Sequence, residues 1–291
     1  MKKVSRDNCV YSMTPQNEPV LHISPGQQVL FETWDALHGR VRIDETGAEV
    51  IDYNPAAGPV FVNGAEVGDI LSVRIDKIEL EPKGQMICGK DMGVMGPVLT
   101  DTVIKDFSIK NDMIIFSDKI HLPLTKMVGV IGTSPKDEEI PNTTPDYHGG
   151  NMDCKEVREN ATILLPVNVP GAMLAIGDIH AAMADGEIAI SGLEISGSVT
   201  ATIDVIKGKN LPLPMIVNDS HIMTLASHVD LDVAVDMAVA NMVKYLESKG
   251  FDTYDAVMLI SLIGEVKICQ VVDPKKTIRV EFPTKFIDGG L

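Results

Sequence analysis

The chain has 291 residues, 45% hydrophobic and 23% charged, enough to bury one large core or two smaller ones. Aromatics make up only 4%, so Val, Ile, Leu, Met and Ala must fill that core, a palette suited to β-rich packing with a little helix. A net charge of −16, with no cluster of Lys and Arg, argues against nucleic acid and anionic membranes as partners and fits a cytoplasmic protein that handles neutral or cationic small molecules.

Met1 to Asp7 carries two early lysines with no apolar stretch behind them and does not read as a secretory signal. From Val20 to about Val130, short β-type runs alternate with Gly and Pro: Gln28 to Phe31, Pro59 to Val62, Ile70 to Leu80 and Met113 to Phe116. Several short strands at this spacing suggest a sandwich or jelly roll. Asn63-Gly64 is a hairpin signal. The chain thus divides into a β-rich portion at 1–132, a long Pro/Gly loop at 133–150 and a further β block with C-terminal helices at 151–291, all packed as one unit.

In the last block, Ala161 to Val169, Ala172 to His180, Glu187 to Ser196 and Ser198 to Ile206 read as strands. The last alternates cleanly, with Val199, Ala201, Ile203 and Val205 on one face. A helix follows from Asp230 to Lys249, its apolar residues three or four apart and Gly250 just past its end. A second helix runs from Asp252 to Ile263, before a closing β segment from Glu265 to Val272. The longest apolar run, Ala256 to Ile263, is too short to span a bilayer. Cys9, Cys88, Cys154 and Cys269 form no Cys-x-x-Cys pair, so reduced thiols are expected.

Chemistry concentrates in Gly177-Asp178-Ile179-His180-Ala181-Ala182-Met183-Ala184-Asp185-Gly186-Glu187. On a strand, Asp178 and His180 project from one face, pre-aligned for a cation, and the Ala-Asp-Gly turn can return Glu187 as a third ligand or a general base. The competing reading is an ordinary turn beside a satisfied structural histidine. Asp35, next to the only Trp of the chain, and the run His148-Gly149-Gly150-Asn151-Met152-Asp153 offer further polar groups, the paired glycines allowing close backbone approach. Glu194, seven residues beyond Glu187, competes with it as the base or is an exposed strand residue. There is no Gly-x-Ser-x-Gly elbow, Walker loop, dinucleotide fingerprint or His-Glu-x-x-His helix, so a serine nucleophile is not indicated. Cys154 reads as inert rather than nucleophilic.

Four pieces in register resemble the acetamidase/formamidase family: Trp34-Asp35-Ala36; Asn54 to Pro59 together with Asn63 to Asp69; His148 to Asp153; and Gly177 to Glu187. Met183-Ala184 departs from the Gln-Gly of many relatives, and Gly264-Glu265-Val266 from their Cys-Asp-Leu. The resemblance implies a jelly-roll-like β sandwich with an added α/β region, a homo-oligomer, and hydrolysis of short aliphatic amides such as formamide and acetamide to carboxylate and ammonia. It makes Asp35, Asp153, Asp178 and His180 the candidate metal ligands and Glu187 the next ligand or the base. Mixed imidazole and carboxylate ligation suits zinc, whereas an all-oxygen subset would suit calcium or magnesium. Metal-activated water would attack the amide, Glu187 would carry the proton, and Gly149 and Gly150 beside His148 would meet the oxyanion, while Met183 lines the substrate pocket. The site segments are free of Lys and Arg, which favours a neutral substrate. The alternative is a non-catalytic, cation-stabilised β module that binds a small ligand or a partner.

Overall fold

The clean alternation between Ser198 and Ile206 is realised in the strand Gly197–Ile206, which buries Val199, Ala201 and Ile203 and pairs on both sides, with Gln27–Thr33 and Ile70–Leu80. The computed structural model describes residues 1–43, 46 and 48–287, so positions 44, 45 and 47 of the first predicted block and 288–291 of the last lie outside the described residues. Around this strand grows a nine-stranded sheet in the order Lys2–Val4, Gln27–Thr33, Gly197–Ile206, Ile70–Leu80, Thr162–Pro166, Met215–Val217, His221–His228, Lys276–Pro283, Glu265–Gln270. A six-stranded sheet faces it, running Gly149–Asn151, Met127–Gly132, Leu174–His180, Ala56–Val62, Cys9–Val10, with Leu21–Ile23 parallel to Ala56–Val62.

The inner faces share one core in which Phe31, Val73, Ile75 and Val199 from the larger sheet meet Val60, Val128, Ile176 and Ile179 from the smaller. Each such side chain, fully withdrawn from water, contributes about 1.5–3 kcal/mol. The result is the expected mainly-β sandwich. The predicted 1–132 and 151–291 blocks interleave in it, since Ile70–Leu80 lies between two strands of the later block and Leu174–His180 between two of the earlier one.

The added α/β region is formed by the helices α1 (Leu231–Ser248) and α2 (Thr253–Ile263) with the far strands of the large sheet. Asp230 starts α1 by accepting hydrogen bonds from the amides of Asp232 and Val233, satisfying donors that the first turn leaves open. The three-four spacing then places Ala234, Ala238, Met242 and Leu246 against Ile278, Val280 and Phe282. No helix among the described residues is long and apolar enough to cross a membrane.

Three expectations are corrected. Glu187 to Ser196 is no strand but a chain of turns, because Gly186, Glu187 and Ile190 take φ values of 97°, 45° and 88° that a regular ladder does not admit. Asn63-Gly64 makes a turn, yet Ala56–Val62 and Ile70–Leu80 on either side of it belong to different sheets and form no hairpin. The closing segment ends at Gln270, and Lys276–Pro283 follows as a further strand between it and His221–His228.

Candidate active site

Leu174–His180 lies between Met127–Gly132 and Ala56–Val62, and all seven of its residues are buried. Period-two geometry aims Asp178 and His180 the same way, and His180 Nε2 stands 3.1 Å from Asp178 Oδ1. The same nitrogen is 3.1 Å from Glu194 Oε1 and 3.9 Å from Asp153 Oδ1. Two overlapping groups result, Asp153–His180–Glu187 and Asp178–His180–Glu194, with the ligand atoms of each within 4.8 Å of one another. The turn after Met183 does return Glu187 toward His180.

Local backbone makes room for this crowding. Asp153, Asp178 and Glu187 take φ values of 40°, 55° and 45°, a left-handed conformation that costs side-chain-bearing residues roughly 1–3 kcal/mol each and that the surrounding fold must impose. Beneath them lies Gly129, where a Cβ would stand 2.4 Å from Asp153 Oδ1 and 2.5 Å from Asp178 Oδ2. Gly192 likewise leaves His180 its space, a Cβ there falling 2.4 Å from Nδ1. Asn54 donates to Asp178 Oδ2 at 3.4 Å, and Asn151 to Asp273 Oδ2 at 3.0 Å. Asp273 is near enough for its charge to raise the Asp153 pKa.

The electrostatics are those of acids concentrated in a dry place. Burial, then the neighbouring carboxylates, holds Asp153, Glu187 and Asp273 well above the usual carboxylate range. Burial likewise pushes Glu194 up to about 8. For His180 burial opposes the charge, but Glu194 and Asp178 outweigh it and raise its pKa well above the ordinary imidazole value. Asp178 shows the mirror image: burial is outweighed by His180, and its carboxyl stays below its ordinary value. Asp153 Oδ1, His180 Nδ1, Glu187 Oε2 and Glu194 Oε2 are buried without a hydrogen-bond partner. Unpartnered buried acceptors converging on one imidazole fit a divalent cation, which would satisfy the oxygens and offset their mutual repulsion.

The remaining predicted residues divide. Asp35 lies outside both groups: its carboxylate accepts from Ser196 Oγ and Gln85 Nε2, each at 3.1 Å. Its influence is indirect, because the backbone of Gln85 pairs with that of Glu194. His148 is fully buried with both ring nitrogens unpartnered, and burial lowers its pKa to about 4, so it is neutral at physiological pH. It too stands outside both groups. The Gly149 amide donates to the Asp146 carbonyl at 3.0 Å and is not free for an oxyanion. Sequence reasoning missed Asp273, which follows Val271-Val272 with no motif to mark it, and Gly129, whose role shows only when strands are placed side by side.

A cavity of about 1090 Å³ opens beside the cluster. One wall is the four-stranded antiparallel sheet Lys83–Cys88, Val103–Lys110, Met113–Ile115 and His121–Pro123, contributing Met86, Phe107, Ile114 and Leu122, with Phe116 just past its third strand. The other includes Met183, Glu187 and Gly192. His148, Gly149 and Gly150 are not among the described residues that line it, whereas Met183 is. Its rim does carry Lys126, Lys155 and Arg158, each paired with a carboxylate, of Glu159, Asp185 and Glu156 respectively.

The sequence model of the acetamidase/formamidase family matches residues 4–144 and 90–288. The chain belongs to this family. An acetamidase of Bacillus halodurans is 38% identical, with a TM-score of 0.92 and 98% of each chain covered. An acetamidase of Yersinia enterocolitica is 30% identical, with a TM-score of 0.89, covering 99% of this chain and 93% of that one. The acetamidase of Mycolicibacterium smegmatis is 25% identical over 64% of this chain and 63% of its own length. The chain thus spans less than two thirds of that curated relative.

Within the family frame, the two departures in sequence fall in different places. Met183-Ala184 lies in the cavity wall, next to Glu187. Gly264-Glu265-Val266 closes α2 and begins the edge strand of the large sheet, outside the cavity wall.

Proposed function

We propose that the chain hydrolyses neutral carboxamides to carboxylate and ammonia at the Asp153–His180–Glu187 centre. The observation that carries this reading is the double membership of Glu187, which belongs to the cation-binding group and also to the cavity wall. Relatives named acetamidase and formamidase support it.

Asp153, Asp178 and His180, with Glu194 alongside, would hold a divalent cation, zinc by the mixed donor set. When bound, it supplies Lewis acidity that polarises a carbonyl and acidifies a nearby water. Glu187 takes the proton of the attacking water and delivers it to the departing nitrogen, because ammonia leaves only when protonated. Burial and Asp153 raise the Glu187 pKa above the ordinary carboxylate value, the direction that favours returning a proton to the leaving nitrogen. Neutrality of the substrate is supported by the ion pairs that occupy Lys126, Lys155 and Arg158. Self-association is supported by the exposed apolar side of α2, where Tyr254, Met258 and Leu262 face solvent.

The test is ammonia release from formamide, acetamide and propionamide by zinc-loaded and chelator-treated protein. Release that depends on metal is expected. Silence toward every amide would leave the cation-stabilised binding module as the better reading.

A further inference from the structure

The cavity that meets Glu187 is far larger than a one- or two-carbon amide requires. Its volume of about 1090 Å³ lies at the upper end of pockets that enclose drug-sized ligands, roughly 300–1,000 Å³. Glu187 and Gly192 join its lining to the acid cluster, the latter lying against His180 Nδ1. Its apolar lining comes from Phe107, Phe116, Ile114 and Leu122 on the sheet side and from Met183 and Leu193, with the ion-paired side chains of the rim around it. Phe107 and Phe116 stack at 5.4 Å, and the ammonium of Lys105 lies over both rings, at 5.0 and 4.4 Å, fixing their orientation. A substrate filling this space would lay a carbon skeleton along the rings and its amide at the acid cluster.

We infer that the chain prefers primary amides whose acyl group carries an apolar, aryl-sized arm, with phenylacetamide nearer to its substrate class than acetamide. This rests on the amide-hydrolase reading of the same site and narrows it. The reaction balances without any further reagent: the C–N bond breaks, a C–O bond forms to the water oxygen, and water protons end on the departing nitrogen and in solution. The acyl side carries the arm because the nitrogen must stay at Glu187 to receive its proton. On the rim, Lys126, Lys155 and Arg158 are each paired with a carboxylate, which favours a neutral arm over one that carries a carboxylate.

The experiment measures kcat/KM of the zinc-loaded protein for acetamide, butanamide, hexanamide and phenylacetamide. Each methylene that leaves water for the apolar wall is expected to raise kcat/KM by about fourfold, and phenylacetamide should exceed acetamide by more than tenfold. Phe116→Ala, at a ring that is 40% exposed and so dispensable for the core, should narrow that preference about tenfold. Equal or better hydrolysis of acetamide would overturn the inference and leave amide hydrolysis standing. No ammonia from any of the four would remove the hydrolase reading itself. A preference for phenylacetamide unaltered in Phe116→Ala would show that the arm lies elsewhere and overturn the assignment of this wall.

Discussion

Arg279 and Asp185 meet through a two-point fork, Nη1 to Oδ1 at 2.6 Å and Nη2 to Oδ2 at 2.9 Å, with the arginine fully shielded from water. Arg279 Nε also donates to Glu281 at 2.7 Å, and Lys155 reaches Asp185 at 2.8 Å. Asp185 stands two residues before Glu187, and the Gly186 amide donates to the Cys269 carbonyl at 2.9 Å. The turn that presents Glu187 is thereby tied to the end of the nine-stranded sheet.

Replacing Arg279 tests how much that tie contributes. Burial opposes the guanidinium charge, yet the Asp185 fork outweighs it and leaves its pKa raised, so the charge persists and the partners depend on it. Arg279→Met strands Glu281 and part of Asp185, and breaking a buried pair on one side costs about 3–5 kcal/mol. Urea unfolding should show this loss. A change below about 1 kcal/mol would mean that Lys155 and Lys267 suffice to hold the two carboxylates.

Gly129→Ala addresses the floor of the site. Its backbone has no positive φ, so alanine fits the strand, but its methyl group would collide with the Asp153 and Asp178 oxygens. We expect a folded protein with near-native circular dichroism and metal affinity at least tenfold weaker, read by competition with a chromophoric chelator. Unaltered affinity would place the cation away from these two oxygens.

The raised carboxyl pKa values give a pH dependence with a definite sign. Metal-free native protein keeps protons on Glu194, whose pKa is about 8, and on Glu187 and Asp153, at pH values where the unfolded chain has released them. The native state then binds more protons than the unfolded one, so stability falls as pH rises from the ordinary carboxylate range toward about 8, by up to about 1.4 kcal/mol per pH unit for each proton. His180, also raised, acts in the same sense, while Asp178, lowered, matters only in strong acid. Metal displaces the same protons. Zinc added to metal-free protein in weak buffer at neutral pH should therefore acidify the solution, and metal affinity should climb with pH across that window. Zinc uptake without proton release would contradict this arrangement.

How far this site was legible follows from which distances the sequence encodes. Asp178 and His180 share a strand, so period two already pairs them in the sequence, although the left-handed Asp178 adds a local bend that spacing does not encode, and α1 announces itself through its spacing and cap. Glu194 was visible only as a weak rival to Glu187, because its approach to His180 depends on turns with positive φ that no local propensity dictates. Asp35 belongs to a segment read as resembling the family, but it spends its oxygens on Ser196 and Gln85, a pairing across 161 and 50 residues that spacing cannot foresee. The strand Lys276–Pro283 could have been read: Ile278, Val280 and Phe282 alternate with Thr277, Arg279 and Glu281. Its charged residues disguised a buried strand, since Arg279 sits inside only because Asp185 and Glu281 meet it there.

Glu187 and Glu194 flank His180 and compete for the role of proton carrier, and their surroundings separate them. Glu194 lies 3.1 Å from His180 Nε2, shares that imidazole with Asp178, and does not line the cavity. Glu187 has a buried oxygen without a partner and does line it. A proton carrier must reach both the water and the leaving nitrogen, which only a cavity-lining group can do. Glu187→Gln keeps the shape and a carbonyl oxygen but cannot shuttle a proton, so kcat should fall by about 10²–10⁴ and stay low when the protein is saturated with zinc. Glu194→Gln should instead weaken zinc binding, since it alters a candidate ligand, and excess zinc should restore part of its turnover. Full activity in Glu187→Gln alongside a metal-replete but inactive Glu194→Gln would exchange the two roles.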